Sequence, residues 1–173
     1  MSDGKLVKDV MLGIFEYPHI PYWFSIEQAI KVVKASFIQT QKHTDPLAVL
    51  VFDEKYNLLG TVTLKDLLRG IEPSFLKSPA KAQLPEEEKT GLAVVWDSLF
   101  SQESKKLAQK PVSEIMVSAK HFVEPEDPVT KAAYLMIHFD LPVLPVIEDK
   151  KKFVGIVRMV EVFDVISEEI IKE

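Results

Sequence analysis

The chain has 173 residues, of which 47% are hydrophobic, which is enough for one compact core or for two small units packed together. Its 21 lysine and arginine residues against 26 aspartate and glutamate residues give a formal charge of −5, which disfavours a nucleic acid as the main partner. The absence of cysteine excludes disulfides, a thiolate nucleophile and cysteine-ligated metals. Since no signal-peptide core or membrane-spanning apolar run is present, we expect a soluble cytoplasmic protein that does not bind membranes.

The first half of the chain predicts a helix, a hairpin and a second helix. A short lead segment, residues 5–11, precedes a predicted helix at about 26–39. The β-rich runs LAVLVF and LLGTVT then flank the polar turn DEKYN, which predicts a hairpin, and LKDLLRGI predicts the second helix. Both strands are nearly all apolar, which is typical of a sheet that is covered on both faces.

Residues 72–109 differ in character from the rest. Their first part contains Pro73, Pro79 and Pro85 and an acidic run at 86–88, and it is predicted to be a solvated loop. The second part predicts an amphipathic helix at about 92–107, because apolar residues recur there at helical spacing; they are Leu92, Val95, Trp96, Leu99 and Phe100. This helix either packs on its own module or binds a second copy or a partner, with Trp96 and Phe100 as anchors.

The second half of the chain repeats the first. Residues 49–71 align without gaps with 144–166, and this alignment places Gly60 opposite Gly155. Further matches join the leads 5–11 and 110–116 and the helices around Ala29 and Ala132, so a helix is predicted at 129–138. We predict a first repeat at 1–71, a linker at 72–109 and a second repeat at 110–173.

These features resemble a tandem cystathionine-β-synthase (CBS) domain pair. Each repeat reads β-α-β-β-α and begins with a V-x-x-[VI]-M lead, VKDVM at 7–11 and VSEIM at 112–116. LPVIE at 144–148 resembles the PVVD signature of the family, and GTVTLKD fits its glycine-x-x-Thr/Ser-x-x-Asp nucleotide motif. The resemblance implies a mixed α+β fold of two pseudo-symmetrically packed repeats with a ligand cleft on each side. It also implies a regulatory sensor, not an enzyme, that forms a homodimer and signals to an unidentified protein partner.

The resemblance implies that Gly60, Thr63 and Asp66 bind an adenine-containing ligand such as AMP, ADP, ATP or an S-adenosylmethionine-like compound. Thr63 would add a hydroxyl where a helix N-terminus attracts a phosphate, and the Asp66 carboxylate suits the two ribose hydroxyls. Gly60 would let the backbone approach the base or sugar. The same Thr-x-x-Asp pattern also fits a helix capping box, and the two roles are compatible.

In the second repeat the equivalent residues are Gly155, Arg158 and Glu161. Arg158 either grips a phosphate or fills a degenerate site, and we expect the degenerate site, with weak or no binding in this second cleft.

Other patterns carry less information. The aromatic run 16–24 is expected to wedge its loop against the first helix and not to stack an adenine. The histidines lack paired ligand spacing, so we expect no metal, no required cofactor and no catalytic residues. The alternative function is a structural interaction module whose clefts are empty.

Overall fold

The structure is a computed structural model, and it describes residues 4–39, 48–74 and 101–172. The first repeat consists of β1 (His19–Pro21), α1 (Ile26–Gln39), β2 (Ala48–Phe52), β3 (Leu58–Thr63) and α2 (Leu64–Gly70). The second repeat consists of β4 (Val117–Ser118), α3 (Val129–Phe139), β5 (Val143–Glu148), β6 (Lys152–Arg158) and α4 (Met159–Ile171). The predicted mixed α and β fold is confirmed.

Both predicted hairpins are present with matching registers. In the first, β2 pairs antiparallel with β3 and Val51 lies opposite Gly60; in the second, β5 pairs with β6 and Val146 lies opposite Gly155. All five residues of β2 are buried, as are the first four of β5. The sheets are therefore covered on both faces, as the apolar strands predict.

The two lead segments are exchanged between the repeats. Val7 lies fully buried in the core of the second repeat, and its N–H donates to the Asp127 carbonyl at 2.9 Å. Val112 lies in the core of the first repeat, and its N–H donates to the Phe24 carbonyl at 2.7 Å. Each core therefore contains an apolar residue that the other repeat supplies.

After each lead, the chain forms a β-contact with the hairpin of the other repeat. β4 pairs with β3, where Val117 lies opposite Thr61, and Leu12 bridges antiparallel to Ile156. Between the sheets lies a third apolar cluster, which includes Phe52, Val143 and Ile156. The repeats are joined by this cluster as well as by the exchanged leads.

Part of the predicted linker helix lies outside the described residues, including Trp96 and Phe100. Residues 101–107 are helical, and the hydroxyl of Ser104 donates to the Ile71 carbonyl at 2.7 Å. The Glu27 N–H, at the start of α1, donates to the Ala108 carbonyl at 2.9 Å. The described end of this helix thus packs on the first repeat.

Candidate functional site

Thr63 and Asp66 form a capping box at the junction of β3 and α2. The Asp66 N–H donates to Thr63 Oγ1 at 3.1 Å, and the Thr63 N–H donates to Asp66 Oδ2 at 2.9 Å. Asp66 is only 6% exposed. The capping role is therefore present, and it orients the carboxylate.

The capping box leaves hydrogen-bond acceptor sites of the Asp66 carboxylate unoccupied. A carboxylate offers about four lone-pair sites. Arg69 Nη1 lies 3.8 Å from Oδ1, which is too long for a hydrogen bond. Acceptor capacity remains, so the binding of a ribose by Asp66 stays a prediction.

Gly60 and Gly155 each lie against a backbone carbonyl that leaves no room for a side chain. A Cβ at Gly60 would lie 2.3 Å from the Val117 carbonyl oxygen, and one at Gly155 would lie 2.4 Å from the Leu12 carbonyl oxygen. Real Cβ atoms do not approach so closely. The backbone that lies against Gly60 is the continuation of the exchanged lead, and the approach of Gly60 to a base or sugar stays a prediction.

A cavity of about 280 Å³, called here the first cleft, reaches the first motif at Thr61, whereas Gly60, Thr63 and Asp66 are not among the residues that line it. Thr61 lines it and lies on the same face of β3 as Thr63, because side chains two apart on a strand point the same way. The other walls come from the second repeat: residues 117–121, Phe139, Leu141, Val143 and Pro145. The first cleft is thus built from both repeats.

Basic and aromatic side chains define the chemistry of the first cleft. Lys120 and His121 line it together with Phe139. The rings of His121 and Phe139 are stacked, with centroids 3.7 Å apart and an interplanar angle of 17°. This combination suits a ligand that is flat and anionic. The sequence motif did not indicate these residues, because they belong to the other repeat.

In the second motif, Arg158 and Glu161 pair with each other. Arg158 Nε donates to the two carboxylate oxygens of Glu161 at 2.9 and 3.0 Å, and Nη2 donates to the same carboxylate. Their side chains are 14% and 19% exposed. The acid that corresponds to Asp66 is therefore neutralised by its own neighbour.

The counterpart of the first cleft, called here the second cleft, is a cavity of about 350 Å³ lined by residues 15–19 and by Val32, Ala35 and Ser36 of α1. The alignment of the leads places Phe15 and Glu16 where the first cleft has Lys120 and His121. This cleft therefore presents an acidic residue in place of two basic ones.

Tyr17 occupies the inner wall of the second cleft. Its ring is 4% exposed, and the Ala48 N–H donates to its hydroxyl oxygen at 3.1 Å. Burial raises the pKa of the hydroxyl to about 12, and the charges of Arg158 and Glu161 also act on it. Tyr17 therefore links the second cleft to the Arg158–Glu161 pair.

Two general findings concern the described part of the chain. It contains no group of three or more histidine, aspartate and glutamate side chains that could hold a metal ion. None of its helices combines the length and apolarity that a membrane crossing requires.

Known proteins share this architecture. CBSX2 from Arabidopsis thaliana matches with a TM-score of 0.67 at 18% identity, over 98% of this chain and 99% of its own. A CBS domain-containing protein of unknown function from Bacillus anthracis matches with a TM-score of 0.67 at 20% identity, over 95% and 94%. The CBS domain pair of protein MJ0100, solved with 5′-methylthioadenosine and S-adenosyl-L-methionine, matches with a TM-score of 0.62 at 19% identity, over 96% and 98%. CBSX2 has also been solved in complex with AMP.

The chain has the fold of a CBS domain pair. Residues 112–168, within the second repeat, match the CBS domain family model. No curated protein is similar enough in sequence to count as a relative.

Proposed function

We propose that this chain is a regulatory module, without catalytic activity of its own, that binds an adenine-containing nucleotide in the first cleft and thereby changes its interaction with a partner. The observation that carries this proposal is that Lys120, His121 and Phe139 line one cavity together with Thr61 of the first motif. The adenosine ligands of CBSX2 and MJ0100 support an adenine compound.

We assign one role to each side chain of the first cleft. The ammonium of Lys120 attracts the phosphate, and the stacked rings of His121 and Phe139 offer a surface for the adenine. Asp66, held by its capping box, accepts from the ribose hydroxyls. The cavity lies near the lower end of the ~300–1,000 Å³ usual for ligand pockets, which favours a mononucleotide.

The two clefts should bind unequally. Glu16 lines the second cleft, where its negative charge would repel a phosphate. In the motif of the second repeat, Arg158 and Glu161 are already paired with each other. We therefore expect one tight nucleotide per chain, and calorimetry counts the sites directly. Two equal sites would contradict the assignment of the second cleft as degenerate.

Regulation follows from the position of the first cleft. Because Thr61 and Val143 come from different repeats, a bound ligand contacts both. Such a ligand shifts the packing of the repeats only to the extent that it binds one arrangement better than another.

A thermal-shift screen tests the proposal. AMP, ADP, ATP, S-adenosylmethionine and 5′-methylthioadenosine are each added to the parent protein. A ligand at 100 times its Kd adds ~2.7 kcal/mol of stability. Lys120→Ala should reduce the shift, and the matched surface variant Lys106→Ala should not. If the parent responds to no ligand, the chain is better described as an interaction module with empty clefts.

The outward faces of α3 and α4 support assembly. Among the described residues outside the first cleft they expose seven large apolar side chains, between 40% and 76% each: Tyr134, Ile137, Met159, Val160, Phe163, Ile170 and Ile171. At roughly 100 Å² apiece, this face approaches the ~800 Å² per partner of a standard interface. We propose that a second copy of the chain covers it.

Light scattering tests the dimer. The parent should run as a dimer, and Ile137→Lys combined with Phe163→Glu should run as a monomer. Leu68→Glu, which changes an exposed apolar residue on α2, should leave the dimer intact. A monomeric parent would contradict the proposed dimer. The contact predicted for Trp96 and Phe100 stays a prediction.

A further inference from the structure

A second kind of cavity lies at the turn end of the β2–β3 hairpin. It measures about 320 Å³ and is distinct from the first cleft. Its walls combine aromatic rings with carboxylates: His19, Trp23, Phe52 and Tyr56, with Asp53, Glu54, Ile20 and Pro21 completing the lining. We call it the aromatic–acidic cavity.

The rings of this cavity meet at steep angles. Phe52, 3% exposed, forms the floor. The ring of His19 stands at 88° to it with centroids 6.0 Å apart, and that of Tyr56 stands at 50° with centroids 6.5 Å apart. Trp23 and Tyr56 remain 56% and 72% exposed, so they form walls that a ligand can reach. Tyr22 braces the Trp23 ring edge to face at 5.3 Å.

The sequence predicts that the aromatic run 16–24 wedges its loop against α1, and only part of the run does so. Phe24 packs against the core of the first repeat, whereas Trp23 projects beside the cavity. More than half of the largest side chain in the run is therefore left for another contact.

The charge in the cavity is fixed in place. Asp53 Oδ1 accepts from the backbone N–H groups of Lys55 and Asn57, and Oδ2 accepts from the side chain of Asn57. These bonds, above all the one from the Asn57 side chain, lower the pKa of Asp53. The carboxylate thus stays ionised while its lone pairs are largely occupied. Glu54 adds a second negative charge.

We propose that the aromatic–acidic cavity binds a small quaternary ammonium compound. Ring faces attract a cation, and quaternary ammonium groups are typical ligands of aromatic cages. Such a group has no N–H to donate, so it benefits from the charge of Asp53 without needing its lone pairs. A primary ammonium would need free acceptors, which Asp53 offers poorly. The charge of Lys55 acts on Asp53, but Lys55 does not line this cavity, and Lys151 and Lys152 line a neighbouring one.

The backbone of Tyr56 has a positive φ, a feature that it shares with Asp149 and Lys150 in the turn of the second hairpin. Its φ of 61° lies in the left-handed region, which a bulky residue adopts unfavourably. Glycine would fit the turn without strain, but it would remove the wall of the cavity. The second hairpin has Ile147 and Lys151 at the positions of Phe52 and Tyr56, so the aromatic walls belong to the first repeat.

Choline and its neutral isostere 3,3-dimethylbutan-1-ol provide the test. Calorimetry on the parent should show saturable choline binding and at least several-fold weaker binding of the isostere. Trp23→Leu should weaken choline by about 2- to 30-fold, the range of a cation–π contact. Glu54→Gln should also weaken it, whereas Glu148→Gln, with the same change in net charge on the other hairpin, should not.

Tyr56→Gly separates ligand binding from a structural role. It should weaken choline by the same 2- to 30-fold while leaving resistance to urea equal or higher, because glycine relieves the strained φ. The proposal is overturned if choline does not saturate, if the isostere binds as well, or if Trp23→Leu and Tyr56→Gly bind choline like the parent.

Discussion

The two motifs occupy equivalent places in the two repeats but differ in what they leave available. Thr63 and Asp66 cap their helix and keep acceptor capacity beside a cavity with two basic residues. Arg158 and Glu161 neutralise each other beside a cavity that carries Glu16. A duplicated scaffold can thus keep its backbone while one of its two sites changes in charge. The shared backbone and the differing side chains can each be tested.

The largest expected effect is a loss of stability on substitution of the two glycines that the repeats share. Gly60→Ala and Gly155→Ala should each lower the free energy of unfolding by about 3 kcal/mol or more, the upper end for overpacking, because a backbone carbonyl must move. Urea unfolding measures both. Gly13→Ala is the control, since a Cβ there meets nothing within 4 Å. A tolerated Gly60→Ala would mean that the lead strands are not held against the hairpins.

Tyr17 gives a pH-dependent difference between the repeats. Burial raises its pKa from 10.0 to about 12, so the folded protein holds this proton more tightly than the unfolded chain does. Its contribution of about 2–3 kcal/mol is complete below about pH 10 and is lost as the pH rises to about 12.

Urea unfolding between these pH values should show this loss in the parent. Tyr17→Phe should remove the pH dependence and cost about 1 kcal/mol at neutral pH, because the Ala48 N–H loses its acceptor. Tyr56→Phe, at an exposed tyrosine, should keep it. A steep loss that persists in Tyr17→Phe would assign the titration to another group.

Asp66 distinguishes nucleotide binding from helix capping. Asp66→Ala should weaken the nucleotide by about 10- to 150-fold, the range of hydrogen bonds to a charged group. Because the capping box is present, it should also cost the ligand-free protein about 1 kcal/mol. Asp66→Asn keeps the size and one acceptor but should still impair binding. Calorimetry and urea unfolding separate the two effects.

Glu161→Ala is the matched control for Asp66→Ala and should leave the tight site nearly unchanged. If Asp66→Ala loses stability but binds every adenine ligand like the parent, Asp66 acts only as a cap.

The sequence predicts local structure and repeats better than it predicts the clefts. The β-rich apolar runs around polar turns predicted the hairpins, because that signal is local, and the alignment of Gly60 with Gly155 related one hairpin to the other. The cleft wall at Lys120 and His121 was missed, since it forms only when the lead of one repeat crosses to the other. The aligned leads hold that information, but no local pattern shows which core they enter. The reason for Gly60 was likewise visible only once Val117 was placed beside it.

Exchanging the charges of the two clefts gives the smallest expected effect. Lys120→Ala should weaken nucleotide binding by about 2- to 5-fold, the range of a solvent-exposed ion pair, and added salt should narrow the difference between variant and parent because salt screens exposed charges.

In the second cleft, Phe15→Lys with Glu16→His reproduces the residues of the first cleft. Alone this change should improve weak binding only slightly, because Arg158 still pairs with Glu161. Adding Arg158→Thr and Glu161→Asp restores the motif as well, and calorimetry should then detect a second nucleotide per chain. If the four substitutions together leave one nucleotide per chain, these four positions do not account for the difference between the clefts.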